Sequence, residues 1–274
     1  MIEVTITGSK DNRVDTFSAL GLGLKRRDIP VLPDTREYAQ IIAGMDGEVD
    51  FGAEYGTRTI QHECVLMAND PSADYQAKII KLAQVFNTKR GDVYLTYSDL
   101  PDRRYKARYS GTLPIQKIIF DGELTIPMKM HDPFPESLRD TRIYEYGQGL
   151  EYGQGYEYNN HSVPVSVDGQ VFTIENSGTT DSYPIISIAG AFTNLTLTND
   201  EGTVFTFGGT IAATDILEIN CNLRKKTIKL NGLNAFSRSN GVFFVLRPGI
   251  TTFTLNATNP DLIISFLFRH QYLY

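Results

Sequence analysis

The feature that most limits this chain is the turn punctuation of its second half. After residue 162, nine short apolar runs follow one another: "SVPVSV", "PIISIAG", "NLTLTN", "TVFTFGG", "DILEIN", "KTIKLNG", "GVFFVL", "ITTFTL" and "LIISFLFR". Turn clusters punctuate them at Asp168-Gly169, Asn199-Asp200-Glu201-Gly202, Asn231-Gly232, Asn240-Gly241 and Pro248-Gly249. Runs this short are below helical length, and their β-branched residues suit a pleated surface. The pattern predicts an antiparallel β-sandwich over 161–274.

The first half reads as strands plus one helix. In "DPSADYQAKIIKLAQVF" Asp70 can cap, Pro71 suits the first helical position and Asp74 favours the positive end. Ile79, Leu82, Ala83 and Phe86 then share a face, so the spacing predicts a helix over 71–87 covering a sheet, with Gly91 as its terminator. The expected domains are 1–140 and 161–274. Between them, 141–160 is a Gly/Tyr-rich linker in which the pentapeptide at 145–149, "EYGQG", returns at 151–155. Its Gly147-x-Gly149 start lacks the strand and helix of a phosphate-binding turn.

A second stretch, "GDVYLTYSDLPDRRYKARYSG" at 91–111, mixes tyrosines with basic residues. Alternation separates them. Val93, Leu95 and Tyr97 share one face with Tyr105, Ala107 and Tyr109, while Arg104, Lys106 and Arg108 share the other. Pairing apolar with apolar predicts Val93 opposite Tyr109, Leu95 opposite Ala107 and Tyr97 opposite Tyr105, around a three-residue loop, Leu100-Pro101-Asp102. Nucleic-acid platforms present aromatics and cations on one surface, so this hairpin reads as core on one side and a solvated or subunit-contact face on the other. The net charge of −6 points the same way, because DNA affinity comes largely from neutralising phosphates.

No catalytic constellation emerges. His62 and Cys64 share a face in "TIQHECVL", but zinc wants three or four ligands and their neighbours are apolar. "HDPFPES" places His131, Asp132 and Glu136 near one another, yet its prolines suit an extended exit. The expectation is a protein without catalytic residues, cofactor or metal. The first thirty residues lack an apolar signal core, and the two cysteines, Cys64 and Cys221, suit free thiols made in a reducing cytoplasm.

Several separated pieces resemble the distal tail proteins (Dit) of long-tailed phages. "IPVLPDTREYAQIIAGMDGEVDFGAEYGTRTIQHECVLM" at 29–67 is similar to that family's strand, turn and long strand, with Ala43 where a proline is common. The helix and hairpin follow in the family's order. "YPIISIAGAFTNLTLTN", "LEINCNLRKKTIKLNG" and "FFVLRPGITTFTL" resemble its galectin-like second domain. The resemblance implies a mainly β fold, an N-terminal β-barrel or β-sandwich domain with one α-helix followed by a galectin-like antiparallel β-sandwich. It also implies a structural virion protein, made and assembled in the host cytoplasm: a hexameric ring joining the tail tube to the baseplate or tail tip.

The partners it implies are further copies of the chain, the major tail tube protein, a tail-associated fibre or lysin protein and receptor-binding proteins. DNA would pass through without specific binding, along a neutral or acidic lumen, and no membrane is involved. A closed ring needs two different patches per subunit. The candidates are the acidic Asp46, Glu48, Asp50 and Glu54, and the basic Arg58, Arg103, Arg104, Lys106 and Arg108. The competing expectation is a carbohydrate-binding module or adhesin domain, although the residue set with which galectins hold galactosides has no counterpart. A glycosidase is a third class.

Overall fold

A computed structural model describes residues 2–68, 73–118, 121–141 and 161–274. The chain divides into two compact units, Met1–Leu138 with Tyr272–Tyr274, and Arg139–Gln271. The expected linker repeat falls outside the described residues.

The first unit contains β1 (Val4–Gly8), β2 (Val14–Thr16), β3 (Leu22–Asp28), β4 (Thr35–Gln40), β5 (Val49–Tyr55), β6 (Arg58–Leu66), α1 (Ala73–Val85), β7 (Val93–Tyr97), β8 (Leu100–Tyr109), β9 (Gln116–Ile118), β10 (Asp121–Met130) and β11 (Glu136–Ser137). Its main sheet has the order β2-β1-β7-β8-β10-β6-β3, with β11 on β8 and β9 on β10. β2 and β3 end this path, yet the Leu22 N–H donates to the Phe17 carbonyl at 2.8 Å and the Phe17 N–H to Val4 at 2.9 Å. Seven strands laid flat would hold those ends about 29 Å apart. The sheet therefore rolls until its edges nearly meet, around Val4, Ile6, Leu20, Ile60, Leu95, Tyr105 and Ile126.

Helix α1 buries Tyr75, Leu82 and Val85 against this core, whereas Ala83, expected on the buried face, is exposed. A methyl group loses little by facing water. The α-helix ends at Val85, before the expected 87, because "NTKRG" builds its own single turn. There the Asn87 side chain accepts from the Lys89 N–H at 3.0 Å, and Gly91, at φ 99°, closes the 3-10 turn instead of the helix. Asp70 and Pro71 lie outside the described residues.

The hairpin register also differs. Val93 pairs with Ala107, Leu95 with Tyr105 and Tyr97 with Leu100, so the turn is the two-residue Ser98-Asp99. For Val93 and Leu95 the displacement from the expected pairing is two residues, which leaves their partners on the expected face, whereas past a register shift Tyr97 meets Leu100, five residues from the expected Tyr105. Tyr97, Tyr105 and Ala107 are buried, as that face requires. The residues left over, including Arg103 and Arg104, pair with β11 instead.

The second unit holds β12 (Ser162–Val165), β13 (Gln170–Asn176), β14 (Ile185–Asn199), β15 (Val204–Ile211), β16 (Ile216–Asn220), β17 (Thr227–Leu230), β18 (Leu233–Asn234) and β19 (Gly249–Leu267). Runs read as separate strands are fused: "PIISIAG" and "NLTLTN" form β14, while "ITTFTL" and "LIISFLFR" form β19. The signals between them are bulges, not turns. Asn194 and Asn259, both at φ 50°, sit where the β14–β19 register shifts. One half of each long strand joins β12, β16, β17 and β18, and the other half joins β13 and β15. Bending two shared strands thus builds the sandwich around Phe172, Leu197, Phe205, Phe253 and Phe266. "GVFFVL" is not a strand; it crosses as a loop pinned by Leu246, which exchanges backbone hydrogen bonds with Ser182 at 2.9 Å.

Candidate subunit interface

β4 and β5 pair only with each other among the described residues. Their ribbon is exposed along nearly its whole length and carries Tyr38, Ile41, Ile42, Met45, Phe51 and Tyr55 in solvent-accessible positions. Two strands alone are marginal in water, and this one exposes apolar groups on both faces. The sequence builds it with glycines: Gly44 and Gly47, at φ 86° and 84°, shape the tip, and Gly52, at φ 98°, lies at the register shift near Asp50.

The four acidic candidates all belong to this arm. Asp46 and Glu48 are at its tip, the Asp50 carboxylate accepts from the Gly52 N–H at 2.7 Å, and Glu54 accepts from the Tyr38 hydroxyl at 3.1 Å. The basic candidates do not form one open patch. Arg104 reaches Glu136 at 2.6 Å and lies 3.9 Å over the Tyr94 ring. Arg108 pairs with Asp92 at 2.7 Å, with Lys106 3.9 Å from the same carboxylate. Arg103 pairs with Asp102 at 2.9 Å. Asp102 is the neighbour of Arg103 on β8 itself, but Glu136 and Asp92, which neutralise Arg104 and Arg108, come from other segments that spacing does not reveal.

Arg58 departs furthest from its expectation as a contact residue. It is 1% exposed, at the start of β6 where the arm returns to the sheet. Burial lowers its guanidinium pKa from the ordinary arginine value. Beside it runs a polar core that the sequence did not announce. The His62 Nε2 is 2.8 Å from the Tyr97 hydroxyl, and Arg27, 4.4 Å over the Tyr97 ring, grips Asp99 through two 2.8 Å bonds. Burial brings His62 down to about 4 and the Cys64 thiol up to about 12. Both are therefore uncharged at neutral pH. His131 is exposed and Glu136 is committed to Arg104. Among the described residues no group of three His, Cys, Asp or Glu side chains could hold a metal ion. No helix there is long and apolar enough to cross a membrane.

Two family models match successive parts of the chain. The phage tail protein RIFT-related domain matches residues 18–130, and the siphovirus-type tail component C-terminal domain matches 177–272. The chain belongs to the siphophage distal tail proteins. It is a structural component of the phage tail, consistent with a mainly β fold and its order of units. The Dit protein (gp 19.1) of phage SPP1, described as a paradigm of the hub adsorption apparatus in phages infecting Gram-positive hosts, shares the fold. It matches at TM-score 0.71 and 16% identity, over 98% of each chain. A chain of the phage p2 baseplate, in its activated conformation with Sr, matches at TM-score 0.46 and 10% identity, also over 98% of each chain. No curated protein matches this distal tail protein in sequence.

Proposed function

We propose that six copies of this distal tail protein close into a ring that joins the tail tube to the adsorption apparatus. The first unit forms the ring and the second carries adsorption parts. The observation that supports this reading is the β4–β5 arm: an acidic, partly apolar ribbon, anchored where Tyr55 packs edge-on against Phe134 but with strands that pair only with each other among the described residues, gains stability by lying on a neighbour. Such a contact is head-to-tail, with different patches on the two partners, and closes a ring when the rotation closes. The tube protein would meet one face of the ring and the fibre or lysin protein the other. The net negative charge suits a neutral or acidic lumen, through which DNA passes without salt-sensitive retention.

Light scattering coupled to size-exclusion chromatography tests the reading on the full chain. Particles of six subunits are expected, reduced to smaller species when Ile41, Ile42 and Phe51 are all replaced by serine. A wild-type protein that stays monomeric at every concentration, including in the presence of its tube protein, would overturn the ring.

A carbohydrate-binding role for the second unit has one observation in its favour. An open cleft of about 470 Å³ is lined by Asn194, Thr196, Thr206, Phe207, Arg238 and Asn240. Glycan-array binding lost in Arg238→Ala would support that role, and an array without hits would remove it.

A further inference from the structure

Arg58 is one of the largest fully buried side chains, and among the described residues its Nε and Nη1 have no hydrogen-bond acceptor. The nearby Tyr105 hydroxyl is also buried without a partner. All three groups can donate. Among the described residues the acceptor that Arg58 does have, at Nη2, is the carbonyl of Leu273. Arg103 next to it reaches a main-chain oxygen of Tyr274 and stacks 4.4 Å over the Tyr272 ring, while the Tyr272 N–H donates to Pro135 at 2.9 Å. Tyr272–Tyr274 thus lies over an arginine pocket and satisfies it incompletely. A buried guanidinium with two unmet N–H groups costs free energy, and because Nε and Nη1 donate toward different sides, a carboxylate reaching either one would supply a charged acceptor that the main-chain carbonyl at Nη2 does not.

We propose that this pocket is the docking site for the acidic arm of a second copy of the chain, and that Tyr272–Tyr274 is a displaceable cover occupying it in the unassembled protein. The inference deepens the ring reading and rests on it for the identity of the occupant. Charge complementarity selects that occupant: Asp46, Glu48, Asp50 and Glu54 are exposed on the arm, and the pocket is rich in donors without acceptors. Topology adds a second reason. Arg58 lies at the root of the arm, three residues after Tyr55, so each copy carries Asp46 and Glu48 at the tip and the buried arginine at the other end of one ribbon roughly 20 Å long, with Glu54 near the root. Tip-to-root contact is the head-to-tail geometry that a ring requires.

The probe is a fluorescent peptide of residues 43–55, "AGMDGEVDFGAEY", titrated onto the full-length protein and read by anisotropy. Tyr272→Ala, which loosens the cover, is expected to bind it roughly tenfold or more tightly than the wild type, because a competing occupant lowers apparent affinity. Binding should vanish when Arg58→Gln is added, and for a peptide with its four acids changed to amides. Arg58→Lys, which keeps the charge but loses the fork, should weaken it several-fold and supplies the test if Arg58→Gln does not fold. Equal affinity for wild type and Tyr272→Ala, binding that survives these Arg58 changes, or equal binding of a scrambled peptide would overturn the proposal. A protein that binds the peptide in this pattern yet never forms hexamers would defeat the ring reading alone.

Discussion

At the scale of single residues, the buried polar core of the first unit makes a pH prediction. His62 titrates near 4 in the folded protein because burial penalises the imidazolium, against 6.5 for an ordinary histidine. Between those values the unfolded chain binds the extra proton and the folded chain does not, so stability falls as pH drops through this window. The loss at the acid end is about 3 kcal/mol for His62. His270 in the second unit, also down to about 4 through burial, works in the same direction there. Thermal melts between pH 7 and pH 4 should show a steady decline in the midpoint, shallower in His62→Gln for the first unit. A midpoint independent of pH above 4.5 would contradict the assignment. His62 was visible in the sequence as a histidine on an apolar face. Its partner Tyr97 was not, because 35 residues separate them and only the sheet order brings β6 and β7 into one core.

At the scale of elements, the long bent strands are the most demanding feature. Gly190, at φ 127°, lies in β14 where a Cβ would meet the Asp261 carbonyl at 2.3 Å. Gly190→Ala is therefore expected to destabilise the second unit by roughly 2–4 kcal/mol, combining strain with a backbone clash. Asn194→Gly, at a position already left-handed, should cost under about 1 kcal/mol beyond the lost bond that Asn194 Oδ1 accepts from the Gly209 N–H at 2.8 Å. Urea titration of both variants measures the difference. Equal stabilities would mean that the bend can relax. The hairpin illustrates the same scale. Its faces were legible from alternation, since a two-residue slip conserves them, but its register depended on β11 claiming Arg103 and Arg104 and on Arg27 holding Asp99. Neither contact is local to the hairpin.

At the scale of the whole molecule, the arm carries the assembly prediction. Changing Asp46, Glu48, Asp50 and Glu54 together to lysine should leave the monomer's melting temperature almost unaltered, since these side chains are exposed. The same change should raise the concentration needed for assembly by tenfold or more at low salt, with a smaller effect at 0.5 M salt where screening shortens the Debye length to about 4 Å. Analytical ultracentrifugation at two ionic strengths reads both outcomes, and a salt-independent effect would argue against an electrostatic contact. The sequence by itself determined the class of each half, the face that the buried hairpin side chains take and the acidity of the arm, because periodicity and turn chemistry are local properties. Tertiary structure alone decided that Arg58 is buried, that the basic face is neutralised by its own domain, and that four apparent strands are two. Those outcomes depend on which distant groups share a low-dielectric interior, and burial and charge pairing there are decided by neighbours that no spacing along the chain specifies.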